Sequence, residues 1–448
     1  MNLKVAPPPH FLRSRSRYLY LIAIVLALTT LLAPAPIYSQ ADDGSIPADD
    51  PAMQHKGDPA WDVVAAYAQG LNVSYEEAEA RFGLQDQFSA LTGELEEKDP
   101  TYGGAWIEHE PEFGLYVQFA ASDGAARLKA YAEKYPFVDQ VRVLQSRYSL
   151  KELMAMKDVL TNSFAAANKY LIYSTGIGVD ERSIKITIRA GDLAETERLL
   201  ATDSDLATLL TDAVGERAPE RVLDIVRVEY GEPDVPLSYP NYYGGGGLGV
   251  ALPCTPGLAL VEYSTGEKYV SSAAHCLPNL SLNGHSLGPI VHERDFGPPY
   301  YSDVRVMDAE ATGWNITNRI ACGSSLCERI NGYAYRTNLD LGTYVAHRGS
   351  MSNFAIAEIL NTNVTALGSY TGFVRAESPS WWWPGNNPAG CKGDSGGAVF
   401  QVTSYPYADG VGVVSLGNIP INEAETCFKQ ILFPPLDKFP SGFRPLTQ

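Results

Sequence analysis

The sequence predicts an α+β region over residues 58–235, followed by an all-β domain over residues 236–448. Three observations separate the two. Residues 58–230 mix helical periodicity with a few alternating runs, whereas the residues after 236 show many short alternating runs between glycine-rich turns. The net charge is −18 over residues 41–235 but only −4 over residues 236–448. All six cysteines lie in the second half of the chain.

The first 57 residues are expected to lie outside the fold. Arginines near the start precede an apolar run over residues 18–32, and prolines and small residues follow. This order is typical of a secretory signal peptide, and the run is too short to span a bilayer comfortably. We therefore expect residues 1–40 to be a signal peptide, and the protein to be secreted, extracellular and free of the membrane after signal cleavage. Residues 41–57, rich in Asp, Pro and Ala, are expected to be a disordered linker.

Local patterns predict the elements of the α+β region. Ser74 and Glu77 form a capping box, which predicts a helix from Ser74 to about residue 95. Residues 184–188 alternate strictly and predict a strand. The remaining expectations are a hairpin over 102–120, helices over 150–174 and 194–214, and a last strand over 222–228.

The second half has the pattern of an all-β barrel or sandwich. Glycines 244–247 predict a hinge near the domain boundary. The strand candidates are residues 258–263, 304–307, 343–346, 355–360 and 411–414.

Two segments carry chemistry. Residues 391–397 are Cys-Lys-Gly-Asp-Ser-Gly-Gly, and residues 272–276 are Ser-Ala-Ala-His-Cys. A serine hydroxyl is a weak nucleophile at neutral pH unless a neighbouring base takes its proton. Glycines beside Ser395 allow a tight turn in which two backbone N–H groups can face one developing oxyanion. The two segments together predict acyl transfer by Ser395, with His275 as its base.

Other chemistries lack the residues that they need. The acidic balance argues against a nucleic-acid partner, because phosphate binding needs a basic face. The chain has no P-loop, HExxH or dinucleotide fingerprint, and no Cys-x-x-Cys spacing. We therefore predict no cofactor and no metal. The other histidines, His109 and His347 among them, are expected to be solvated, and Trp381–383 to form a packed or rim loop.

The two chemical segments resemble the Thr/Ser-Ala-Ala-His-Cys and Gly-Asp-Ser-Gly-Gly motifs of the chymotrypsin-like serine proteases. The chain order of histidine before serine is also similar to theirs. The resemblance implies a double six-stranded β-barrel and hydrolysis of peptide bonds through an acyl-enzyme. It further implies a triad of His275, an aspartate and Ser395, and an oxyanion hole formed by the N–H groups of Gly393 and Ser395.

The aspartate of the triad is expected between His275 and Ser395, and Asp303, Asp308 and Asp340 all remain open. We favour Asp303 because it precedes the alternating run 304–307, which would place its carboxylate at the start of a buried strand. Its short spacing from His275 resembles the bacterial α-lytic protease and streptogrisin group.

An even number of cysteines behind a signal peptide predicts disulfides. The resemblance implies that one bridge pins the histidine loop and another closes the specificity pocket. The third pair departs from the bacterial group, which has a cysteine near the position of Ala346. The expected pairs are Cys254–Cys276, Cys322–Cys327 and Cys391–Cys427.

The resemblance also implies the substrate-binding surface. Ala389, six residues before the nucleophile, and the adjacent Gly390 stand at the floor of the pocket for the P1 side chain, the one before the cleaved bond. No aspartate stands there to pair with Arg or Lys, so we expect a small or apolar P1 residue. Ser415, Leu416 and Gly417 resemble the strand that pairs with extended substrate, although Leu416 departs from the aromatic or glycine usual at its position.

Residues 71–120 and 175–190 resemble the pro-regions of the same bacterial group. The shared features are the Glu-Ala-x-x-Arg helix at residues 77–81, the glycine-containing hairpin and the Gly-Val-Asp approach to a strand at residues 178–180. The resemblance implies a pro-region that assists folding of a slow non-local β topology and inhibits the protease until cleavage near residues 231–245.

The sequence thus predicts a monomeric secreted serine endopeptidase, made as a zymogen. Its expected partners are protein or peptide substrates and its own pro-region. Two alternatives stay open. One is a protease-like binding protein without activity. The other is an active protease that keeps residues 58–235 as a targeting module.

Overall fold

Strands from the two halves of the chain join in one hydrogen-bonded sheet. The computed structural model describes residues 59–167, 172–231, 233–236, 254–276, 278, 280–282, 285–294, 302–322, 325–366, 370–382, 387–403, 407–422 and 426–447. The predicted signal peptide, disordered linker and tetraglycine hinge lie outside these residues and stay predictions. All described residues belong to one compact unit spanning His55–Gln448. This unit is not divided near residue 236, and the domain boundary expected there stays a prediction.

The α-helices among the described residues all precede residue 215. In chain order they are α1 Pro59–Leu71, α2 Tyr75–Lys98, α3 Gly124–Lys129, α4 Leu150–Ala167, α5 Leu193–Thr202 and α6 Ser204–Val214. The strands before residue 240 are β1 Tyr102–Glu108, β2 Gly114–Phe119, β3 Val141–Gln145, β4 Ile172–Asp180, β5 Ser183–Ala190, β6 Val226–Tyr230 and β7 Val235–Pro236. None of the described helices is both long and apolar enough to cross a membrane.

The described residues after 253 form strands, short 3-10 turns and loops. The first strands are β8 Ala259–Glu262, β9 Lys268–Ser272, β10 Ser281–Leu282, β11 His285–Ser286, β12 Ile290–Arg294, β13 Val304–Met307, β14 Arg319–Cys322 and β15 Ser325–Tyr333. The others are β16 Tyr344–Gly349, β17 Asn353–Ala366, β18 Tyr370–Glu377, β19 Gly390–Cys391, β20 Ala398–Val402, β21 Ala408–Val413, β22 Leu416–Pro420, β23 Cys427–Phe433 and β24 Phe443–Pro445.

The α+β half contains one separate small sheet and a second group of three strands that belongs to the large sheet. In the first, β1 and β2 are antiparallel and β2 and β3 are parallel. The apolar face of this sheet packs against α2 through side chains such as Phe88, Leu91 and Val117. In the second, β5 pairs antiparallel with β4 and parallel with β6. Helices α4 and α6 pack on each other, and α4 packs on β4.

Strand β4 connects the two halves of the chain, because it also pairs antiparallel with β17. Gly178 lies opposite Asn361, and Ile177 lies opposite Thr362. The hydrophobic core continues across this joint, since Ile177 and Ile186 belong to the same buried cluster as Val374 and Phe433. Removing the α+β half would therefore expose core surface of the second half.

Most described strands of the second half belong to two sheets, and β10 and β11 form a separate antiparallel pair. One sheet of five strands has the order β12-β13-β9-β8-β24. The other runs β14-β15-β21-β20-β16-β17-β18-β23-β22-β7, with β4 attached to β17. Within the described residues neither order closes on itself, so the double six-stranded barrel is not found there and stays a prediction.

Several predicted boundaries are wrong. The helix expected over residues 150–174 ends at Ala167, and residues from Ile172 onward form β4. The helix expected over 194–214 is broken at Asp203, whose side chain accepts hydrogen bonds from the N–H groups of Asp205 and Leu206 and so caps α6. The strand expected to begin at residue 222 begins at Val226, after a 3-10 turn over Val222–Asp224.

Candidate active site

The side chains of the three predicted triad residues, His275, Asp303 and Ser395, meet between the two larger sheets of the second half. His275 lies in the turn that follows β9, and Asp303 directly precedes β13, which pairs antiparallel with β9. Ser395 comes from the turn between β19 and β20 in the other sheet. The sheet pairing therefore holds histidine and aspartate side by side, and sheet packing brings the serine to them.

The hydrogen bonds of the three residues form one chain. The Nδ1 atom of His275 is 2.8 Å from Oδ2 of Asp303, and its Nε2 atom is 2.9 Å from Oγ of Ser395. The backbone N–H of His275 also donates to Oδ1 of Asp303, at 2.9 Å. With Nδ1–H donating to the carboxylate, Nε2 presents its lone pair to the serine hydroxyl. Asp303 and Ser395 are fully buried, and the side chain of His275 is 8% exposed.

Asp303 is held in an unusual backbone conformation. Its φ is +57°, in the left-handed region that costs an L-residue on the order of 1 kcal/mol. Both carboxylate oxygens are fixed by His275, and the hydroxyl of Ser415 donates to Oδ2 as well. These contacts retain a conformation that the backbone alone would disfavour, and they aim the carboxylate at the imidazole.

Arg305, two residues after Asp303, holds the turn that carries His275 by hydrogen bonds to its backbone. Its Nη1 donates to the carbonyl of Cys276 at 2.7 Å, and its Nη2 donates to the carbonyl of Ala274 at 2.6 Å. The carbonyls on either side of His275 are thus held by one buried guanidinium, whose Nε also donates to Glu293. Nothing in the local sequence indicated this role, because donor and acceptors lie about 30 residues apart.

The turn that carries Ser395 is anchored by Asp394. Its Oδ1 accepts hydrogen bonds from the N–H groups of Met351 and Ser352, at 2.9 and 3.1 Å, and its Oδ2 accepts from Cys391 N–H at 2.7 Å. The carbonyl of Gly393 accepts from the hydroxyls of Thr255 and Ser350, at 2.9 and 2.7 Å. These bonds define the orientation of the peptide unit that follows Gly393.

The backbone of this turn requires glycine. Gly393 has φ +111° and Gly396 has φ +88°, values that side-chain-bearing residues rarely adopt. Within the part of the chain that the structure describes, the N–H groups of Gly393 and Ser395 donate to no other group. Both donors are therefore available to bind an oxyanion, the role that the sequence predicts for this pair.

Two of the three expected disulfides are present. Cys254 is bonded to Cys276, beside His275, and Cys391 is bonded to Cys427, at the base of the serine turn. The side chains of Cys322 and Cys327 lie outside the described residues, so that pairing stays a prediction.

Of the expected pocket residues, Ser415 is the one in hydrogen-bond contact with Ser395 among the described residues. Ala389 is fully buried, and its carbonyl accepts a hydrogen bond from Nε2 of His347. Gly390 belongs to β19, which pairs with β23. Ser415 contacts Ser395 through its carbonyl, 3.4 Å from Oγ, besides its hydroxyl bond to Asp303. The sequence predicted a substrate-binding role for Ser415 but gave no sign of these contacts with the triad.

The strand expected to bind substrate is occupied by the chain itself. Strand β7 pairs antiparallel with β22, with Val235 opposite Gly417 and Pro236 opposite Leu416. A segment within the predicted cleavage region, residues 231–245, therefore adds a strand at the edge where an extended substrate was expected. This is the β-addition mode of peptide recognition.

The competing aspartates are engaged elsewhere. Asp340 is buried and accepts a hydrogen bond from Thr92 of α2 at 2.9 Å, and burial raises its pKa to about 7. Asp308 accepts from the N–H of Ala311, which lies in a short 3-10 turn. Among the candidates weighed, Asp303 is the one whose carboxylate contacts His275.

The expectation that the other histidines are solvated is wrong for two of them. His347 is 1% exposed, and burial lowers its pKa. His109 lies between the Tyr67 hydroxyl and the Gly342 carbonyl, each 2.8 Å away, and burial lowers its pKa to about 4. Both are uncharged structural residues at neutral pH. Trp381 and Trp382 pack half-buried, as a packed loop predicts, and Trp383 lies outside the residues whose side chains are described.

In the described part of the chain, Cys254, His275 and Cys276 are the group of potential metal ligands that lies close enough to hold one ion. The two sulfur atoms are bonded to each other, so neither is the thiolate that a metal needs. His275 also has both ring nitrogens engaged by Asp303 and Ser395. This cluster is therefore poorly suited to bind a metal.

The chain is similar to solved structures of proteases. Thermobifida fusca protease A matches with 19% identity and a TM-score of 0.32, over 44% of this chain and 92% of that one. Cellulomonas bogoriensis chymotrypsin matches with 20% identity and a TM-score of 0.32, over the same shares. A glutamic acid specific serine protease matches with 19% identity and a TM-score of 0.31, over 41% of this chain and 88% of that one. No family model and no curated protein matches the chain.

Proposed function

We propose that the chain is a secreted serine endopeptidase made as a zymogen, with His275, Asp303 and Ser395 as its catalytic triad. The continuous hydrogen-bond chain from Asp303 through His275 to Ser395 carries this proposal. A carboxylate that fixes the imidazole tautomer and a nitrogen lone pair at a buried hydroxyl are the requirements of acyl transfer by serine.

The reaction follows from this geometry. Ser395 Oγ attacks the carbonyl carbon of the scissile peptide, and its proton moves to Nε2 of His275. Asp303 stabilises the imidazolium that forms. The oxyanion of the tetrahedral intermediate is bound by the N–H groups of Gly393 and Ser395. His275 then returns the proton to the leaving amine, which leaves an acyl-Ser395, and water attacks this ester by the same steps.

The α+β half acts as a pro-region that inhibits the protease until it is cut. Strand β7 supports this role, because its pairing with Leu416 and Gly417 blocks the edge that an incoming peptide would use. A bound peptide that continued this antiparallel register by one residue beyond the Pro236–Leu416 pair would reach Ser415, whose carbonyl lies beside Ser395 Oγ. We therefore expect processing at the Leu237–Ser238 bond, although both residues lie outside the described part of the chain. A leucine there agrees with the apolar P1 preference expected from the Ala389 pocket floor.

The joint between β4 and β17 supports a role in folding. A non-local β topology folds slowly, and a preformed edge strand offers a template for β17. The α+β half forms its own local pairs, such as the β4–β5 hairpin, before it needs the second half. It can therefore fold early and present β4 to the protease strands.

The test compares secreted wild-type protein with the Ser395→Ala variant, by intact mass and N-terminal sequencing. We expect the wild type to mature to a fragment that begins at Ser238. The variant should remain uncleaved between the α+β half and the protease half. Peptide hydrolysis by the variant should fall on the order of 10⁶-fold. If both proteins stay full length, the zymogen proposal fails, and residues 58–235 are then a retained module. If the purified variant hydrolyses peptides as fast as wild type, Ser395 is not the nucleophile.

A further inference from the structure

A buried arginine of the second half contacts polar partners in the first half. The Nη2 atom of Arg375, on β18, is 2.9 and 3.0 Å from the two carboxylate oxygens of Asp234 and 3.1 Å from the hydroxyl of Ser174. The side chains of Arg375 and Asp234 are each 2% exposed. Within the described residues, the Nε of Arg375 is buried and has no hydrogen-bond partner.

Asp234 is recognised by more than one donor. The side-chain amide of Asn418, on β22, donates to Oδ1 of Asp234 at 2.7 Å. The guanidinium of Arg189, on β5, lies 3.8 Å from the same oxygen and donates to Asn418 at 3.4 Å. Burial, and then the charge of Arg375, lower the pKa of Arg189 to about 10. One carboxylate is thus held by a set of donors built around it.

The register of β7 assigns Asp234 a place in a substrate. Val235 lies opposite Gly417 and Pro236 opposite Leu416, so Asp234 is the residue just before the paired segment. If Ser395 cuts after residue 237, Asp234 is the fourth residue before the cleaved bond. Arg375 and Asn418 then flank the subsite that this residue occupies.

Maturation changes the surroundings of this subsite. Cleavage and release of the α+β half remove Asp234, Ser174 and Arg189, while Arg375 and Asn418 stay with the protease. The guanidinium then loses its contacts with Asp234 and Ser174 and opens to solvent. An arginine whose charged Nη2 already contacts both oxygens of a carboxylate favours a carboxylate ligand over a neutral amide of the same shape.

We propose that Arg375 and Asn418 form a binding subsite for an acidic side chain at the fourth residue before the cleaved bond. The subsite rests on the proposed protease function. It extends that function to a substrate class, namely peptides that carry Asp or Glu three residues before an apolar P1 residue. In the zymogen, the chain's own Asp234 occupies this subsite.

The test uses the active product of the full-length chain and four chromogenic peptides of the form X-Val-Pro-Leu-p-nitroanilide, with X as Asp, Asn, Ala or Lys. Asp and Asn have nearly the same shape, so their kcat/KM ratio isolates the charge. We expect wild type to prefer Asp over Asn on the order of tenfold, the range expected of a charge-assisted hydrogen bond. In Arg375→Gln the ratio should fall to about one. The matched control, Arg329→Gln, removes an exposed arginine of β15 and should keep the wild-type ratio.

Each outcome of this test either supports or overturns the proposed subsite. A wild-type ratio near one overturns the subsite, and so does a preference that Arg375→Gln retains. If Arg375→Gln yields no active enzyme, Asn418→Ala takes its place: a reduced Asp preference supports the subsite, and an unchanged one overturns it. An enzyme that cuts the Ala peptide but ignores the charge overturns the subsite and leaves the protease function intact. A chain that cuts none of the four peptides overturns both proposals.

Discussion

At the scale of single residues, the buried contacts of Asp303 distinguish it from the other aspartates. Asp303→Asn keeps the shape of the side chain but presents an amide that can reverse the hydrogen bond to Nδ1 and leave the imidazole in the wrong tautomer. We expect kcat/KM for a peptide substrate to fall about 10⁴-fold. The control Asp308→Asn should change it less than about twofold, because the amide oxygen of asparagine can accept the same N–H of Ala311. Equal losses in the two variants would contradict the assignment of Asp303.

The site residues that the sequence predicted lie in short local motifs, whereas those that it missed act on groups far away in sequence. His275 and Ser395 stand in short motifs whose small neighbours and cysteines are adjacent in sequence, so the local sequence was enough to predict them. The hydroxyl of Ser415 and the fork of Arg305 act on groups far away in sequence. Hydrogen bonds of this kind depend on sheet register, and an isolated sequence does not determine register between distant strands.

At the scale of elements, the close approach of β4 and β17 makes Gly178 sensitive. A Cβ at this position would lie 2.4 Å from Nδ2 of Asn361 and 2.7 Å from Oγ1 of Thr187, two groups that hydrogen-bond to each other. We expect Gly178→Ala in the Ser395→Ala chain to destabilise folding by about 1–3 kcal/mol. The control Gly83→Ala, on α2, meets no atom within 4 Å and should stabilise by about 0.5–1 kcal/mol. Denaturant unfolding gives the unfolding free energies of both variants. A Gly178→Ala variant as stable as its parent would contradict the close approach of β4 and β17 at this residue.

Helix and strand patterns were reliable where the local signal is strong. Ser74 accepts the N–H of Glu77 and starts α2 as the capping box predicts, while the carboxylate of Glu77 pairs with Arg81. The strand over 304–307 is Val304–Met307 in the structure. The errors fall where tertiary pairing overrides the helical pattern: residues from Ile172 onward leave it because β4 pairs with both β5 and β17. The pairing of β7 with β22 had no local signal at all, because two residues carry no periodicity.

At the scale of the whole molecule, the two halves bury ionisable groups against each other. Asp340 lies in the second half, contacts Thr92 in the first, and has a pKa raised to about 7 by burial. Glu358, partly buried near Tyr344, has its pKa raised to about 7 by desolvation. Asp340 hydrogen-bonds across the two halves, so its protonation is expected to act on their association.

Asp340 therefore makes the stability of the joined chain depend on pH. Its pKa is about 7 in the folded chain, against 3.8 for a solvated aspartate, so between these values the folded state holds a proton that the unfolded state has lost. The proton retained by Asp340 stabilises the folded chain. This stabilisation is complete below about pH 4 and is lost as the pH rises through 7, and the unfolding free energy changes by up to about 1.4 kcal/mol per pH unit. In the Ser395→Ala chain, Asp340→Asn should remove this pH dependence. The unfolding free energy of the variant should therefore increase relative to that of its parent as the pH rises. Thr92→Val should extend this pH dependence to higher pH, because the hydroxyl stabilises the charged carboxylate. Unfolding free energies across this pH range test both variants, and parallel profiles for parent and Asp340→Asn would rule out Asp340 as the titrating group.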